Sequence, residues 1–303
     1  MRWGDFRRSD NVDDRTDGDP GGGSPLGGGV RLGGGALVVI VIASLIFGVN
    51  PLEMIGALES GGPAPPPASR QPAPGYGPQG APAPGSTRAT PAAKDPAKDF
   101  AAAVLGDTED VWKAVFQAMG ARYEPPRLVL FRNRVDSACG RASASAGPFY
   151  CSADRELYLN TAFFGELSRR FGAPGDFAQA YVIAHEVGHH VQNLTGTMAK
   201  VGRQMQQLDA RGRNALSVRL ELQADCYAGI WGYFAQRRNK LEVGDVEEGF
   251  RAAAAVGDDE IQKSRGQGRV APESFTHGTS EQRLKWFRTG LESGDMRRCN
   301  TFG

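Results

Sequence analysis

The chain has 303 residues, and its 35 basic side chains nearly balance 34 acidic ones, which gives a formal net charge of +1. This balance lacks the basic excess that binds a phosphate backbone, so we expect no nucleic-acid partner. The length exceeds what one folded domain of about 200 residues needs, which leaves room for segments outside that domain.

Residues 1–31 form a polar arm, and residues 32–54 follow it as a strongly apolar segment. No charged residue lies between Leu32 and Leu52. A helix of this length spans about 30 Å, the thickness of a bilayer core, so the segment is predicted to be a single transmembrane signal anchor. A cleaved signal peptide is the alternative. The long arm and the lack of an A-x-A-like site after the apolar core favour the anchor.

The distribution of positive charge predicts the orientation of this anchor. Five arginines precede it, and the first basic residue after it is Arg70. Because positive charge stays cytoplasmic, we expect the arm in the cytoplasm and the rest of the chain outside an inner or plasma membrane. Residues 55–98 are predicted to be a disordered tether, since eleven of the nineteen prolines fall within residues 60–98.

Residues 99–303 carry the periodicities of a folded domain. Apolar residues recur at helical spacing, and we expect helices over residues 107–120, 161–171, 176–194, within 198–238, and over 245–263 and 280–292. The segments RLVLFR and ELYLN alternate as strands. Few strands and many helices indicate an α+β fold, mostly helical, with a small sheet.

The run HEVGH places His185 and His189 four residues apart, on one face of the predicted helix over residues 176–194. Two neutral imidazoles and the adjacent carboxylate of Glu186 offer zinc two ligands and its bound water a base. An ordinary amphipathic helix with surface histidines is the alternative. Gly188 is a poor helix former, and its presence predicts that another backbone packs close to the helix there.

A third ligand is expected from the segment SVRLELQADCYAGIWGYFAQRR, whose apolar residues recur at helical spacing. Glu221 and Asp225 lie four residues apart on one face of this helix. A carboxylate pair is costly to bury unless it is paired or binds a metal, so we prefer Glu221 as ligand, with Asp225 orienting a ligand histidine. Two alternatives stay open: Asp225 is the ligand instead, or both residues belong to a solvated stripe.

The segments HEVGHHVQ, ELQADCYAGIW and FTHGTSEQRLKWF, in this order, resemble the bacterial neutral zinc metallopeptidase family of membrane-anchored proteins. The likeness covers residues 95–303 and extends to MRW…SDNVDDR and CGRASASAGPFYCSADRELYLN. More remotely, the chain is similar to gluzincins, which pair HExxH with a downstream ExxxD helix. The resemblance implies a zincin-like fold, with one Zn²⁺ on His185, His189 and Glu221 and with Glu186 as general base.

The same resemblance suggests roles for residues outside these two helices. His277 lies where related gluzincins carry a histidine that faces the metal and stabilises an oxyanion, and a loop histidine without a role is the alternative. Arg283 is a weaker candidate for the same work and could equally pair with a structural carboxylate. In zincins an edge strand lays out the substrate beside the active-site helix. ELYLN, with Tyr158 and Asn160, is the candidate for that strand.

The four cysteines, at positions 139, 151, 226 and 299, allow three pairings. Pairing Cys139 with Cys151 would close a short loop. Pairing Cys226 with Cys299 would tie the C-terminal tail to the helix that carries Glu221. The sequence leaves the choice open, and two disulfides suit an oxidising compartment.

Together these features predict a zinc metalloendopeptidase that acts on a peptide or protein substrate. Zinc would activate a water, and Glu186 would take the proton of that water and deliver it to the leaving amine. Two alternatives remain: a zinc hydrolase of cell-wall peptide amides, and a non-catalytic binding or chaperone-like module that contains a metal. Glu186 argues against the second, because a structural site needs no base and is usually closed by four ligands.

Overall fold

The computed structural model describes residues 1–16, 95–143, 146–264 and 270–303. The helices in these ranges are α1 (Pro96–Ala118), α2 (Phe163–Phe171), α3 (Asp176–Leu194), α4 (Thr197–Met205), α5 (Ala210–Arg237), α6 (Asp245–Ala255), α7 (Asp258–Ser264) and α8 (Ser280–Ser293). The strands are β1 (Val12–Asp14), β2 (Arg127–Phe131), β3 (Arg134–Ser137), β4 (Gly140–Ser143), β5 (Phe149–Cys151) and β6 (Glu156–Asn160). The predicted α+β fold, mostly helical with a small sheet, is confirmed.

The main sheet has the strand order β1-β2-β6-β5. Strands β1, β2 and β6 run parallel, and β5 runs antiparallel to β6. The inner strands β2 and β6 are buried at all but their first residues, as expected for strands that are covered on both faces. Strands β3 and β4 form a separate hairpin, and the disulfide between Cys139 and Cys151 joins this hairpin to β5.

Two glycines let the helices of the core approach closely. A Cβ on Gly188 of α3 would lie 2.9 Å from the carbonyl oxygen of Ala224 on α5, and a Cβ on Gly290 of α8 would lie 1.9 Å from the carbonyl oxygen of Cys226. Only glycine fits at such crossings without moving a backbone. The expectation that Gly188 marks a close backbone approach is therefore confirmed, and the approaching backbone is that of α5.

Residues 1–16 pack against the domain. Strand β1 extends the main sheet through its pairing with β2. The buried carboxylate of Glu109 on α1 accepts hydrogen bonds from Ser9 Oγ at 2.6 Å, Asn11 Nδ2 at 2.8 Å and Arg7 Nη2 at 2.6 Å. A buried carboxylate needs such donors, so the start of the chain satisfies a polar group that α1 places in the interior.

This packing corrects the predicted membrane topology. No helix within the described ranges is long and apolar enough to cross a bilayer, and the predicted anchor over residues 32–54 lies outside them. A single span between the arm and the domain would hold them on opposite sides of a membrane. The arm instead packs on the domain through β1 and Glu109. The prediction of a transmembrane protein with a cytoplasmic arm and a domain outside is therefore wrong.

We expect Glu109→Ala to lower the free energy of unfolding by about 2 kcal/mol, because Ser9, Asn11 and Arg7 lose their buried acceptor. Urea unfolding followed by circular dichroism measures this change. Asp110→Ala is the matched control, since Asp110 also bonds Arg7 but has a side chain that is 51% exposed. This control should cost less than about 1 kcal/mol. Equal losses in the two variants would contradict the anchoring role of Glu109.

Candidate metal centre

Helices α3 and α5 bring three metal-binding side chains together. His185 Nε2 lies 3.1 Å from Glu221 Oε2, and His189 Nε2 lies 3.3 Å from Glu221 Oε1. One ligand atom from each residue falls within 4.8 Å of the other two, and all three residues are buried. Tetrahedral zinc with bonds near 2.1 Å spaces its ligand atoms by about 3.4 Å. The spacing of the three residues therefore matches that of a zinc site.

The donor set also fits a cation. His189 Nε2 and Glu221 Oε1 are buried without a hydrogen-bond partner in the described part of the chain. Asp225 accepts the Nδ1 hydrogen of His185 at 2.9 Å, so His185 Nε2 presents a lone pair to the Glu221 carboxylate. Two electron-rich atoms in such close contact need a cation or a proton between them.

Neighbouring charged groups shift the pKa values of His185 and Glu221 in opposite directions. Burial would lower the pKa of His185, but the hydrogen-bonded carboxylates of Asp225 and Glu221 outweigh it and raise this pKa to about 9. Burial would raise the pKa of Glu221, and the adjacent His189 and His185 instead hold it well below its usual range. The site thus attracts positive charge strongly, which is what a metal would supply.

Asp225 lies behind His185 and not among the converging ligand atoms. Its Oδ1 accepts from His185 Nδ1, from Tyr181 Oη at 2.5 Å and from Arg283 Nη2 at 2.8 Å, and its Oδ2 accepts from Arg283 Nε at 2.9 Å. Burial would raise the pKa of Asp225, but the Arg283 guanidinium foremost holds it below its usual range. Of the two carboxylates that the sequence left open, Glu221 is therefore the one placed to bind a metal.

Glu186 borders a cavity of about 40 Å³ that His185, Glu221 and His277 also line. The Glu186 side chain is buried, and no described residue donates a hydrogen bond to it that would hold its carboxylate. Burial raises the pKa of Glu186, although His189 and His185 oppose the shift. A carboxylate beside a candidate metal site, with no hydrogen bond from the described residues, could exchange protons with a bound water.

His277 faces the same cavity from the loop before α8. Its Nε2 is buried without a hydrogen-bond partner among the described residues, and its Nδ1 lies 3.1 Å from Asp258 Oδ1. Asp258 Oδ2 accepts the backbone N–H groups of Thr276, His277 and Gly278 at 2.8, 2.6 and 2.9 Å. Burial would lower the pKa of His277, but Asp258 outweighs it and raises this pKa. Asp258 therefore orients the ring, a role that sequence reasoning missed because no local spacing connects residues 19 positions apart.

The structure corrects the placement of Tyr158 and Asn160. Their strand, β6, is paired with β2 on one side and β5 on the other, so it has no free edge for a substrate. The Tyr158 hydroxyl bonds Asp154 and Glu156. Asn160 bonds the backbone of Arg132, after β2, and of Ala162, after its own strand. The edge strand beside α3 is β5, which sequence reasoning did not single out.

A buried histidine attaches this edge strand to the helix of the metal site. His190 Nε2 donates to the carbonyl of Glu124 at 2.7 Å, and its Nδ1 accepts from the Tyr150 hydroxyl at 3.1 Å. Asn193 also donates to Tyr150, at 2.8 Å. Burial lowers the pKa of His190 to about 4. The imidazole is therefore neutral at pH 7 and acts as a fixed link between β5 and α3.

The second disulfide lies directly beside the site. Cys226, which follows Asp225 on α5, is joined to Cys299 in the C-terminal segment. Cys139 therefore pairs with Cys151 and closes a short loop, and Cys226 pairs with Cys299 and ties the C-terminal tail to α5. No free cysteine is found among the described residues.

Comparison with known proteins is consistent with this geometry. A family model described as "Putative neutral zinc metallopeptidase" matches residues 1–302. The chain is 45% identical over 306 residues to YpfJ of Escherichia coli strain K12, which covers 100% of this chain and 99% of the relative. It is 43% identical over 203 residues to Rv2575 of Mycobacterium tuberculosis strain H37Rv, and this aligned region covers 63% of this chain and 66% of the relative.

The names of both relatives describe them as uncharacterized, and no solved structure matches the chain. The family match covers the arm, both ligand helices and the loop that carries His277. The name of the family implies zinc, and His185, His189 and Glu221 form a group that could hold it. The chain belongs to the neutral zinc metallopeptidase family.

Proposed function

We propose that this protein is a zinc-dependent endopeptidase that hydrolyses peptide bonds in a peptide or protein substrate. The observation that carries the proposal is the convergence of three ligand atoms beside Glu186, whose carboxylate has no hydrogen-bond partner in the described part of the chain. Structural zinc sites are usually closed by four protein ligands, whereas catalytic sites use three and leave a position for water. Three ligands with an adjacent base are the arrangement of a catalytic zinc site.

When bound, zinc would lower the pKa of a water molecule and polarise the carbonyl of the scissile bond. The carboxylate of Glu186 accepts the proton of the attacking water and passes it to the nitrogen of the leaving amine. Burial raises the pKa of Glu186, and a more basic carboxylate takes the proton of the attacking water more readily. Asp225 keeps His185 in the tautomer that presents Nε2.

His277 supports this assignment as the group that stabilises negative charge on the carbonyl oxygen. His277 lines the cavity, its Nε2 has no hydrogen-bond partner among the described residues, and Asp258 holds the ring from behind. A preorganised donor of this kind lowers the transition state because it needs no rearrangement as charge develops. Arg283 also lines the cavity, but its guanidinium is committed to Asp225 and Tyr181. Its role is to keep Asp225 charged and in place.

The edge strand β5 is the candidate for pairing with the backbone of the substrate. Pro148, immediately before β5, lines the cavity together with Phe163, Val182 and Val256. The cavity of about 40 Å³ is too small for an extended peptide, so the substrate backbone would lie along its mouth beside β5. The apolar wall favours a small apolar side chain next to the scissile bond.

We expect Glu186→Gln to retain zinc and to lose hydrolysis by at least about a hundredfold, because an amide cannot accept the proton of the water. Cleavage of an unbiased peptide library, with and without chelator, measures activity, and elemental analysis measures zinc. Glu281→Gln, at an exposed position on α8, is the matched control and should retain both. Full cleavage by Glu186→Gln would rule out the assigned base.

Glu221→Ala should strip most of the zinc, because it removes a direct ligand. Asp225→Asn should weaken zinc binding by about 10- to 100-fold, the effect of disturbing a group that orients a ligand. Equilibrium dialysis followed by elemental analysis compares the two variants with the unmodified chain. If Glu221→Ala kept its zinc and Asp225→Asn lost it, Asp225 would be the ligand.

His277→Gln is expected to lower kcat by about 10²- to 10³-fold while zinc content stays unchanged. Asp258→Asn should give a smaller decrease of the same kind, since the ring of His277 then loses its charged support. The cleavage rate of a peptide selected from the library provides the measurement. A loss of zinc in His277→Gln, or an unchanged kcat, would refute the proposed role.

A further inference from the structure

The two ligand histidines are held in different ways. His185 donates its Nδ1 hydrogen to the carboxylate of Asp225, whereas His189 Nδ1 lies 2.9 Å from the side-chain amide oxygen of Gln192. A neutral imidazole carries a hydrogen on only one of its two nitrogens. A histidine that binds metal through Nε2 must therefore carry this hydrogen on Nδ1. The orientation of the uncharged Gln192 amide therefore determines the tautomer of His189.

The backbone of α5 determines the orientation of the Gln192 amide. Its Nε2 lies 2.7 Å from the carbonyl oxygen of Leu220, the residue before Glu221. A carbonyl oxygen only accepts hydrogen bonds, so the nitrogen of Gln192 must face Leu220 and its oxygen must face His189. That oxygen also only accepts, and His189 must then carry its hydrogen on Nδ1. The lone pair of Nε2 is left facing Glu221.

A second glutamine extends this arrangement to the C-terminal segment. Gln192 Nε2 also donates to Gln223 Oε1 at 3.1 Å, and Gln223 Nε2 donates to the carbonyl of Cys299 at 2.9 Å. The Cys299 carbonyl orients Gln223 as the Leu220 carbonyl orients Gln192. Both glutamines are buried, so water does not compete for these bonds. The disulfide to Cys226 holds Cys299 against α5.

We propose that Gln192 and Gln223 are positioning residues that hold His189 in its metal-binding tautomer, and that the Cys226–Cys299 disulfide strengthens metal binding by holding the final acceptor of this chain of hydrogen bonds. The proposal rests on the proposed role of His189 as a zinc ligand. Reduction of this disulfide then weakens the metal site, whereas reduction of the Cys139–Cys151 disulfide leaves it unchanged.

The first test is Gln192→Leu, which keeps the bulk of the side chain and removes the acceptor for His189. Zinc affinity, measured by competition with a chromophoric chelator, should fall by about 10- to 100-fold. Gln179→Leu, the same substitution on the same helix at a half-buried position whose side chain bonds no described residue, should bind zinc like the unmodified chain. The visible absorption of the Co²⁺-loaded protein reports ligand geometry, and it should change only in Gln192→Leu.

The second test separates the two disulfides. A Cys226→Ser/Cys299→Ser variant should lose zinc affinity by several-fold, and a Cys139→Ser/Cys151→Ser variant should not. Gln223→Leu interrupts the same hydrogen bonds with both disulfides intact, so it provides the measurement if the first cysteine variant fails to fold. It should show the same loss in a metal-free protein that still unfolds cooperatively on heating.

These outcomes are distinguishable from failure of the proposed function. If the unmodified chain bound no zinc, the proposed function would fail at its first step. If it bound zinc and Gln192→Leu matched it in affinity and Co²⁺ spectrum, the positioning role would be overturned. Equal zinc affinity in Gln223→Leu and in the unmodified chain would overturn the contribution of the C-terminal segment.

Discussion

The close approach of α3 and α5 at Gly188 and Ala224 is the constraint on which the candidate metal centre depends. A side chain on Gly188 would meet the backbone of α5 at 2.9 Å, and any separation of the helices would carry His185 and His189 away from Glu221. Imidazole and carboxylate are short relative to the usual 8–10 Å between helix axes. At this crossing the backbones are close enough for His185 and His189 on one helix to reach Glu221 on the other.

This approach has an electrostatic cost that the surrounding residues offset. Glu221 and Asp225 are both fully enclosed, and two carboxylates one turn apart in an interior repel each other and lose their hydration. Arg283 neutralises Asp225 with two hydrogen bonds. Among the described residues, Glu221 pairs with His185 and His189, which leaves it as the carboxylate that a metal would satisfy. The two acids thus differ in role because Arg283 on α8 donates its hydrogen bonds to Asp225.

The elements around the two helices hold the site from several sides. Strand β5 is attached to α3 through the Tyr150 hydroxyl and His190, Asp258 on α7 orients His277, and the C-terminal segment is joined to α5 by the disulfide at Cys226. Each of these contacts ends on a ligand helix or on a residue that lines the cavity. The rigidity that a preorganised site needs is therefore distributed over the chain and not confined to the motif.

The sequence by itself determined what depends on neighbouring residues along a helix. His185, Glu186 and His189 were identifiable because helical geometry relates residues one turn apart, and Glu221 and Asp225 because the same geometry pairs them. The glycine at position 188 indicated a close helix crossing for an equally local reason.

Tertiary structure decided everything that depends on a partner distant in sequence. It distinguished Glu221 from Asp225 through Arg283, and it placed Asp258 behind His277. It showed that ELYLN is an inner strand, because β1 and β2 add to one side of the sheet and β5 to the other. Arg7 and Arg8 counted toward a rule for membrane orientation, yet they pair with Glu109 and Asp99 on α1. Local spacing carries no information about such contacts, since folding alone brings these residues within reach of one another.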